Sequence, residues 1–255
     1  MTSANKPALV TFDRLKVSCA QCNLNELCFP HGMPLEDMNK LDAVVEQRKP
    51  LHKNDYLYHE SDASHAIYAV RSGSVKTIVE SPNGDEQIVG FHLPGELLGF
   101  DGFMDDHHTC SAIALETTSI CVLPMNKLEA LCSSLPALQH QMRRIMGKEV
   151  TEEHNMLLML GKMSAEEKIA TFLLSISRRM EERHWKATEF ILSMPRQDIA
   201  NYLGLAVETV SRLFAHYQEE EIIQVDRRRI SILNVERLRA IVGEVQNTDP
   251  NCKQS

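Results

Sequence analysis

The stretch Arg196-Gln197-Asp198-Ile199-Ala200-Asn201-Tyr202-Leu203-Gly204-Leu205-Ala206-Val207-Glu208-Thr209-Val210-Ser211-Arg212-Leu213 decides the fold of the C-terminal part of the chain. Pro195 suits the first turn of a helix, where a missing N–H is harmless. Gly204 can supply the positive φ that ends that helix in a tight turn. Ala200 is small where one helix must approach another. Val207, Val210, Leu213 and Phe214 give a second helix a buried face. The pattern is a helix-turn-helix. On the second helix Glu208, Ser211 and Arg212 share the outward face. Arg can bond guanine through two N–H groups, Glu can accept from a cytosine amino group, and Ser can do either. Downstream, Ile222–Val225 and Ile230–Leu233 flank Asp226-Arg227-Arg228-Arg229 and read as a β-hairpin wing, its arginines suited to phosphate.

Working upstream, Ser164-Ala165-Glu166-Glu167 is a capping box that starts a helix through Ile169, Phe172, Leu173 and Ile176 to about Glu182. Before it runs a long helix, from about Pro136 to Gly161. In it Met146, Val150, Glu153, Leu157 and Leu160 follow at intervals of 4, 3, 4 and 3, with Arg143 extending the series. That narrow heptad seam points to pairing with a second copy of the chain. Glu153 is out of place there. In a symmetric pair it would meet its twin, so it fits a dimer that forms only under a condition.

From Leu51 to about Pro124 the apolar period is two. Tyr56–Tyr58, Ala66–Val70, Val75–Val79, Gln87–Phe91, Ala112–Leu115 and Ser119–Leu123 are separated by Ser72-Gly73, Pro82-Asn83-Gly84-Asp85 and Pro94-Gly95. Short punctuated strands of this kind predict an antiparallel jelly roll. A short helix is expected over Pro34–Arg48, and another within the linker Pro124–Leu135. Ahead of them Cys19, Cys22 and Cys28 stand in a C-x2-C-x5-C loop. Three soft ligands suit zinc or an iron–sulfur cluster but need a fourth from elsewhere.

The chain has 255 residues, a net charge of −8, a pI near 5.8 and seven cysteines. That acidity argues against a non-specific nucleic-acid coat, and residues 196–239 balance seven basic against seven acidic residues. DNA affinity must therefore rest on placement. Neither a signal peptide nor a membrane-spanning run is evident in the sequence. Reduced cysteines in the cytoplasm are expected, and a disulfide is the poorer reading. Asp105-Asp106-His107-His108 is the only support for a metal enzyme on a jelly roll. Adjacent histidines on a strand face opposite ways, and a solvated loop is the better reading. No enzyme is expected.

Taken together, "GLAVETVSRLF", "GDEQIVGFHLPGELLGF", "ETTSICVLP" and the cysteine loop resemble the FNR-type, oxygen-sensing branch of the CRP/FNR transcription regulators, over about residues 19–240. The resemblance implies an α+β chain. Its parts are a cyclic-nucleotide-binding-like jelly roll, a dimerisation helix and a winged helix-turn-helix. It implies a [4Fe-4S] cluster on Cys19, Cys22, Cys28 and Cys121, which oxygen converts to a [2Fe-2S] form, dispersing the homodimer. Spacing alone leaves Cys110, Cys121 and Cys132 open as the fourth ligand. The match of "SICVLP" to the family's ligand strand is what selects Cys121. The resemblance also implies reading of inverted TTGAT half-sites by Glu208, Ser211 and Arg212, and Arg196 and Thr209 complete the expected DNA-binding set. RNA polymerase would touch Asn83, Gly84 and Asp85. Two positions depart from the pattern. Asn23 follows the second cysteine, where the family tunes oxygen reactivity. Cys110 precedes Ser111 where nucleotide-binding relatives carry a phosphate-clamping Arg, so no cyclic nucleotide is expected.

The expected divisions are a tail (1–18), a sensory roll (19–135), a dimerisation helix (136–163), a winged helix-turn-helix (164–243) and a tail (244–255). The competing expectation keeps the DNA-binding part but makes the thiols a zinc site or a bare redox switch. Cys110, Cys132 and Cys252 are expected to be core or tail residues.

Overall fold

In the computed structural model the described residues are 18–243. Both expected tails therefore lie outside them, save Ser18, as does Cys252. Two four-stranded antiparallel sheets form the N-terminal roll. One has the order β1 (Glu46–Gln47), β8 (Ser119–Pro124), β3 (Ala66–Ser72), β6 (Leu97–Leu98). The other is ordered β2 (Tyr56–Tyr58), β7 (Ser111–Ala114), β4 (Val75–Glu80), β5 (Glu86–His92). Alternation puts Val75, Ile120, Ala112 and Ala114 inside with no more than 3% exposure, which is what packs one sheet on the other.

Helix α1 covers Leu35–Val44 and stops short of the expected Arg48. Glu46 and Gln47 instead pair with Val122 and Cys121, because extending β8's sheet satisfies backbone groups that a longer helix would strand. Two further strand pairs were invisible to period-two reading. β6 is too short, and β9 (Glu189–Ile191) adds a third strand to the wing by pairing with β11 (Arg229–Ile232).

Helix α2 (Met125–Ser134) leads into α3 (Pro136–Lys162), with Pro136 in its first turn. Helix α4 (Ala165–Glu182) begins at the capping box. Ser164 Oγ accepts from the Glu167 N–H at 3.2 Å, and the Glu167 carboxylate accepts from the Ser164 N–H at 2.7 Å. Its stripe of Ile169, Phe172, Leu173, Ile176 and Met180 is buried. Each side chain contributes about 1.5–3 kcal/mol by leaving water.

Helices α5 (Arg196–Leu203) and α6 (Val207–Glu219) follow, then the hairpin β10 (Ile223–Asp226) and β11 (Arg229–Ile232), and α7 (Val235–Ile241). Gly204 takes φ 61° at the end of α5, as the turn demands. The helix-turn-helix packs onto the outer sheet of the roll. Asn201 accepts from the Ile88 N–H at 2.6 Å and donates to Glu86 O at 2.7 Å, so α5 covers the edge strand β5. Phe91 packs against Tyr202 and Phe172 at 5.0 and 6.4 Å between ring centres. Lys76 bonds Asp198 at 3.0 Å.

Candidate functional site

Cys19 opens a 3-10 turn, Cys22 closes it, and Cys28 ends the next turn of the loop. Cys121 comes from the middle of β8, where it faces Ala69 and Gln47 across the sheet. All four line one pocket, walled by Leu24, Phe29, Leu41, Val45 and Leu123, with Asp42 and Arg71 as its charged members. None of the four is in a disulfide. The loop is held from behind by α1, whose Asp42 accepts from the Cys19 N–H at 3.0 Å, and by α3, whose Gln141 donates to Cys28 O at 3.3 Å.

Burial, then the Asp42 carboxylate and the neighbouring thiols Cys121 and Cys22, push the Cys19 thiol up to about 12. Burial raises Cys28 well above the usual thiol range, and Cys121, Cys19 and Cys22 add to the shift. Cys121 and Cys22 act electrostatically on Cys19, and all three act on Cys28, so the four share one neighbourhood in which ligation to a metal would displace thiol protons. No three His, Cys, Asp or Glu side chains among the described residues converge closely enough to hold a single metal ion. The four sulfurs ring the pocket without meeting at one point. A soft, all-sulfur, largely apolar donor set of this kind fits a polynuclear iron–sulfur group.

The other two cysteines in contention face elsewhere. Cys110 Sγ is buried 3.4 Å from Asp101 Oδ2, and burial and that carboxylate push its thiol up to about 12. Cys132, on α2, lines a separate cavity with Met125, Met142 and Glu129.

On α6 the residues Glu208, Ser211 and Arg212 are exposed and Thr209 is half-buried. Ser211 Oγ donates to Val207 O at 2.9 Å, a bond within the helix that leaves the hydroxyl's lone pairs outward. The opposite face buries Val210, Phe214 and Tyr217, and the Tyr217 hydroxyl donates to Glu166 O at 2.9 Å. Tyr217 is thus the anchor of this helix, and sequence reading missed it. Val207 is 37% exposed and Leu213 half-buried, so the expected buried face is narrower than the four residues named for it. Arg196 lies 3.6 Å above the Phe214 ring, a stacking that fixes its guanidinium at the start of α5.

The wing arginines differ from one another. Arg228 Nε donates to Leu192 O at 2.8 Å and Arg229 pairs with Glu189, so both are partly committed within the protein. Arg227, at φ 55° in the hairpin turn, is exposed.

Along α3, Arg143, Met146, Val150, Glu153 and Leu157 are exposed, with Leu157 at 69%. Leu160 is half-buried beside the Gly204 turn. Lys148 is engaged by Glu152 and Glu182, at 3.6 and 3.9 Å. Asn83, Gly84 and Asp85 form an exposed turn closed by the Ser81 N–H donating to Asp85 O at 2.9 Å.

Asp105–His108 is not the solvated loop expected throughout. His107 is exposed, but His108 is buried, stacked 3.6 Å from Tyr58 with its Nδ1 3.3 Å from both Asp101 oxygens. The Tyr58 ring that it stacks on is distant in sequence, while Asp101 comes from the 3-10 turn seven residues upstream. The two histidines do not converge. Among the described residues no helix is long and apolar enough to cross a membrane.

Residues 48–134 match the cyclic nucleotide-binding domain family and residues 167–241 the Crp-like helix-turn-helix domain family. The chain is 45% identical to the transcriptional activator protein Anr of Pseudomonas protegens over 225 residues, 88% of this chain and 92% of that one. It is 39% identical to the fumarate and nitrate reduction regulatory protein of Salmonella typhimurium, over 91% of this chain and 92% of that one. Among solved structures it is similar to FixK2 from Bradyrhizobium japonicum, with a TM-score of 0.72 at 29% identity, over 78% of this chain and 97% of that one.

Proposed function

The chain belongs to the CRP/FNR family of transcription regulators, and from that premise we propose how it works as an oxygen-responsive, DNA-binding homodimer that controls anaerobic metabolism. It is a regulator and not an enzyme. Cys19, Cys22, Cys28 and Cys121 would hold a [4Fe-4S] cluster. When bound, that group would supply the reactivity toward oxygen. The residues around it then do the rest. The cysteine loop is drawn onto β8 and α1, and the seam on α3 closes against a second copy through Met146, Val150, Leu157 and Leu160. Glu153 keeps that closure marginal, and Lys148, a base on the same helix, is engaged by Glu152 and Glu182. In the closed dimer Glu208, Ser211 and Arg212 enter successive major grooves at TTGAT half-sites, with Arg196, Thr209 and Arg227 on the backbone. The Asn83-Gly84-Asp85 turn remains outward for RNA polymerase.

The observation that carries this reading is that four cysteines, three from one loop and one from a remote strand, line a single pocket. The absence of a cyclic nucleotide role is supported by Cys110, whose neutral thiol sits against the Asp101 carboxylate where an anion would be repelled. The test is iron, acid-labile sulfide and zinc content of protein purified without oxygen, with operator binding measured alongside. About four irons and four sulfides per chain are expected. Zinc in their place would favour a zinc- or thiol-controlled regulator.

A further inference from the structure

We infer that the Leu93–Glu96 turn is a relay within one subunit, passing the state of the cysteine loop directly to the DNA-reading domain. This deepens the cluster reading above and rests on it. The turn joins β5 to β6 and is gripped from two sides.

On one side lies the cysteine loop. Gly95 lines the cysteine pocket and takes φ +91°. A Cβ there would stand 2.9 Å from Leu27 Cβ and 3.6 Å from Leu24 Cβ. Leu24 and Leu27 both lie between Cys22 and Cys28, so the loop rests on the bare backbone of the turn with no slack for even a methyl group.

On the other side lies the end of α4, the first helix of the DNA-reading domain. Glu96 accepts from Arg179 Nε at 2.8 Å and from Arg183 Nη2 at 2.6 Å. Arg183 Nε donates to Pro94 O at 2.7 Å, and Arg179 also donates to Phe91 O. Glu96 closes its own turn by accepting from the Leu93 N–H at 2.9 Å. The Arg183 side chain is 1% exposed and that of Glu96 18%, so this is an enclosed clamp and not a surface pair. Burial alone would raise the Glu96 carboxyl. The two guanidiniums outweigh it and hold the group at about 2, so the clamp stays ionised and does not answer to pH.

Rigid contacts in series transmit displacement. When the cysteines change ligation, Leu24 and Leu27 move with them, the turn must follow, and Glu96 carries the end of α4. The exposed seam of α3 takes no part in these contacts, so the relay needs no second subunit.

The experiment is hydrogen exchange of the amides in residues 176–186 of the full chain, cluster-loaded without oxygen and again after air. Exchange should quicken about tenfold or more on cluster loss. It should do so equally in a Val150→Glu variant that stays monomeric. Leu27→Ala and Glu96→Gln, compared at equal iron content, should exchange fast before air and respond little to it. Unchanged exchange in the wild type after its visible absorbance has gone would overturn the relay, as would a response confined to the dimer. If the chain takes up zinc and not iron and sulfide, the cluster reading falls, and the same comparison between zinc-loaded and chelated protein decides the relay. Uptake of no metal would overturn both.

Discussion

The backbone N–H of Cys19 donates to the Asp42 carboxylate at 3.0 Å, which ties the start of the cysteine loop to α1. The same carboxylate is, after burial, the largest cause of the raised Cys19 thiol pKa. Asp42 therefore places the ligand and, after burial, adds most to holding its thiol above the usual range.

Asp42→Ala leaves that N–H without its acceptor in a half-buried site. The metal-free protein should lose about 1–2 kcal/mol, read as a lower urea midpoint. The loaded protein should lose its iron faster in air. Asp42→Asn, which keeps an oxygen acceptor, should recover most of the stability. Equal midpoints for wild type and Asp42→Ala would show that the bond does not secure the loop.

Glu153→Ala removes the repulsion between twins in the seam. Its dimer should persist in air, measured by sedimentation at micromolar concentration. The wild type should be monomeric under the same conditions. A monomeric variant would remove this account of the seam.

The DNA face predicts two distinguishable losses. Arg212→Ala should weaken operator binding by about 1–3 kcal/mol and relax preference at one base pair, because it deletes a base contact. Arg227→Ala should weaken binding evenly across sequences and lower the salt slope by about 1. Anisotropy titrations at several salt concentrations, on operator and scrambled DNA, separate the two.

His92 gives a pH signature. Burial lowers its pKa from 6.5 to about 4 in the folded chain. Between those values the unfolded chain binds a proton that the folded one does not. Stability should fall as pH drops through that window, by up to about 3 kcal/mol. His92→Gln should flatten this limb of a stability–pH profile.

Glu149 on α3 should act in the opposite sense. Burial, then Glu152, raises its carboxyl from 4.5 to about 7. Its contribution is complete below 4.5 and is lost as pH rises through 7. Glu149→Gln should keep its stability between pH 5.5 and 8 while the wild type weakens.

Local patterns carried much of this fold. The Ser164–Glu167 box, the Gly204 turn and the wing are each encoded within a few residues, and the structure has all three where the sequence places them. Contacts between distant segments were not legible. Glu46–Gln47 read as helix until β8 was there to pair with it. His108 read as solvated until the Tyr58 ring, fifty residues upstream, stacked on it. Glu96 sits in an ordinary turn sequence, and nothing local announces two arginines from α4. Among the cysteines, spacing left Cys110, Cys121 and Cys132 equal. The resemblance of "SICVLP" selected Cys121, and the tertiary arrangement has it lining the pocket of the loop while the other two face different surroundings.

The most direct test is the affinity of anoxically prepared protein for a TTGAT inverted repeat. It would be compared with a variant carrying Ser at Cys19, Cys22, Cys28 and Cys121, with iron content and sedimentation measured on the same samples. The wild type should bind as an iron-loaded dimer, at least about tenfold more tightly than the variant, and fall to the variant's level in air. Equal anoxic binding by the two proteins would contradict the account.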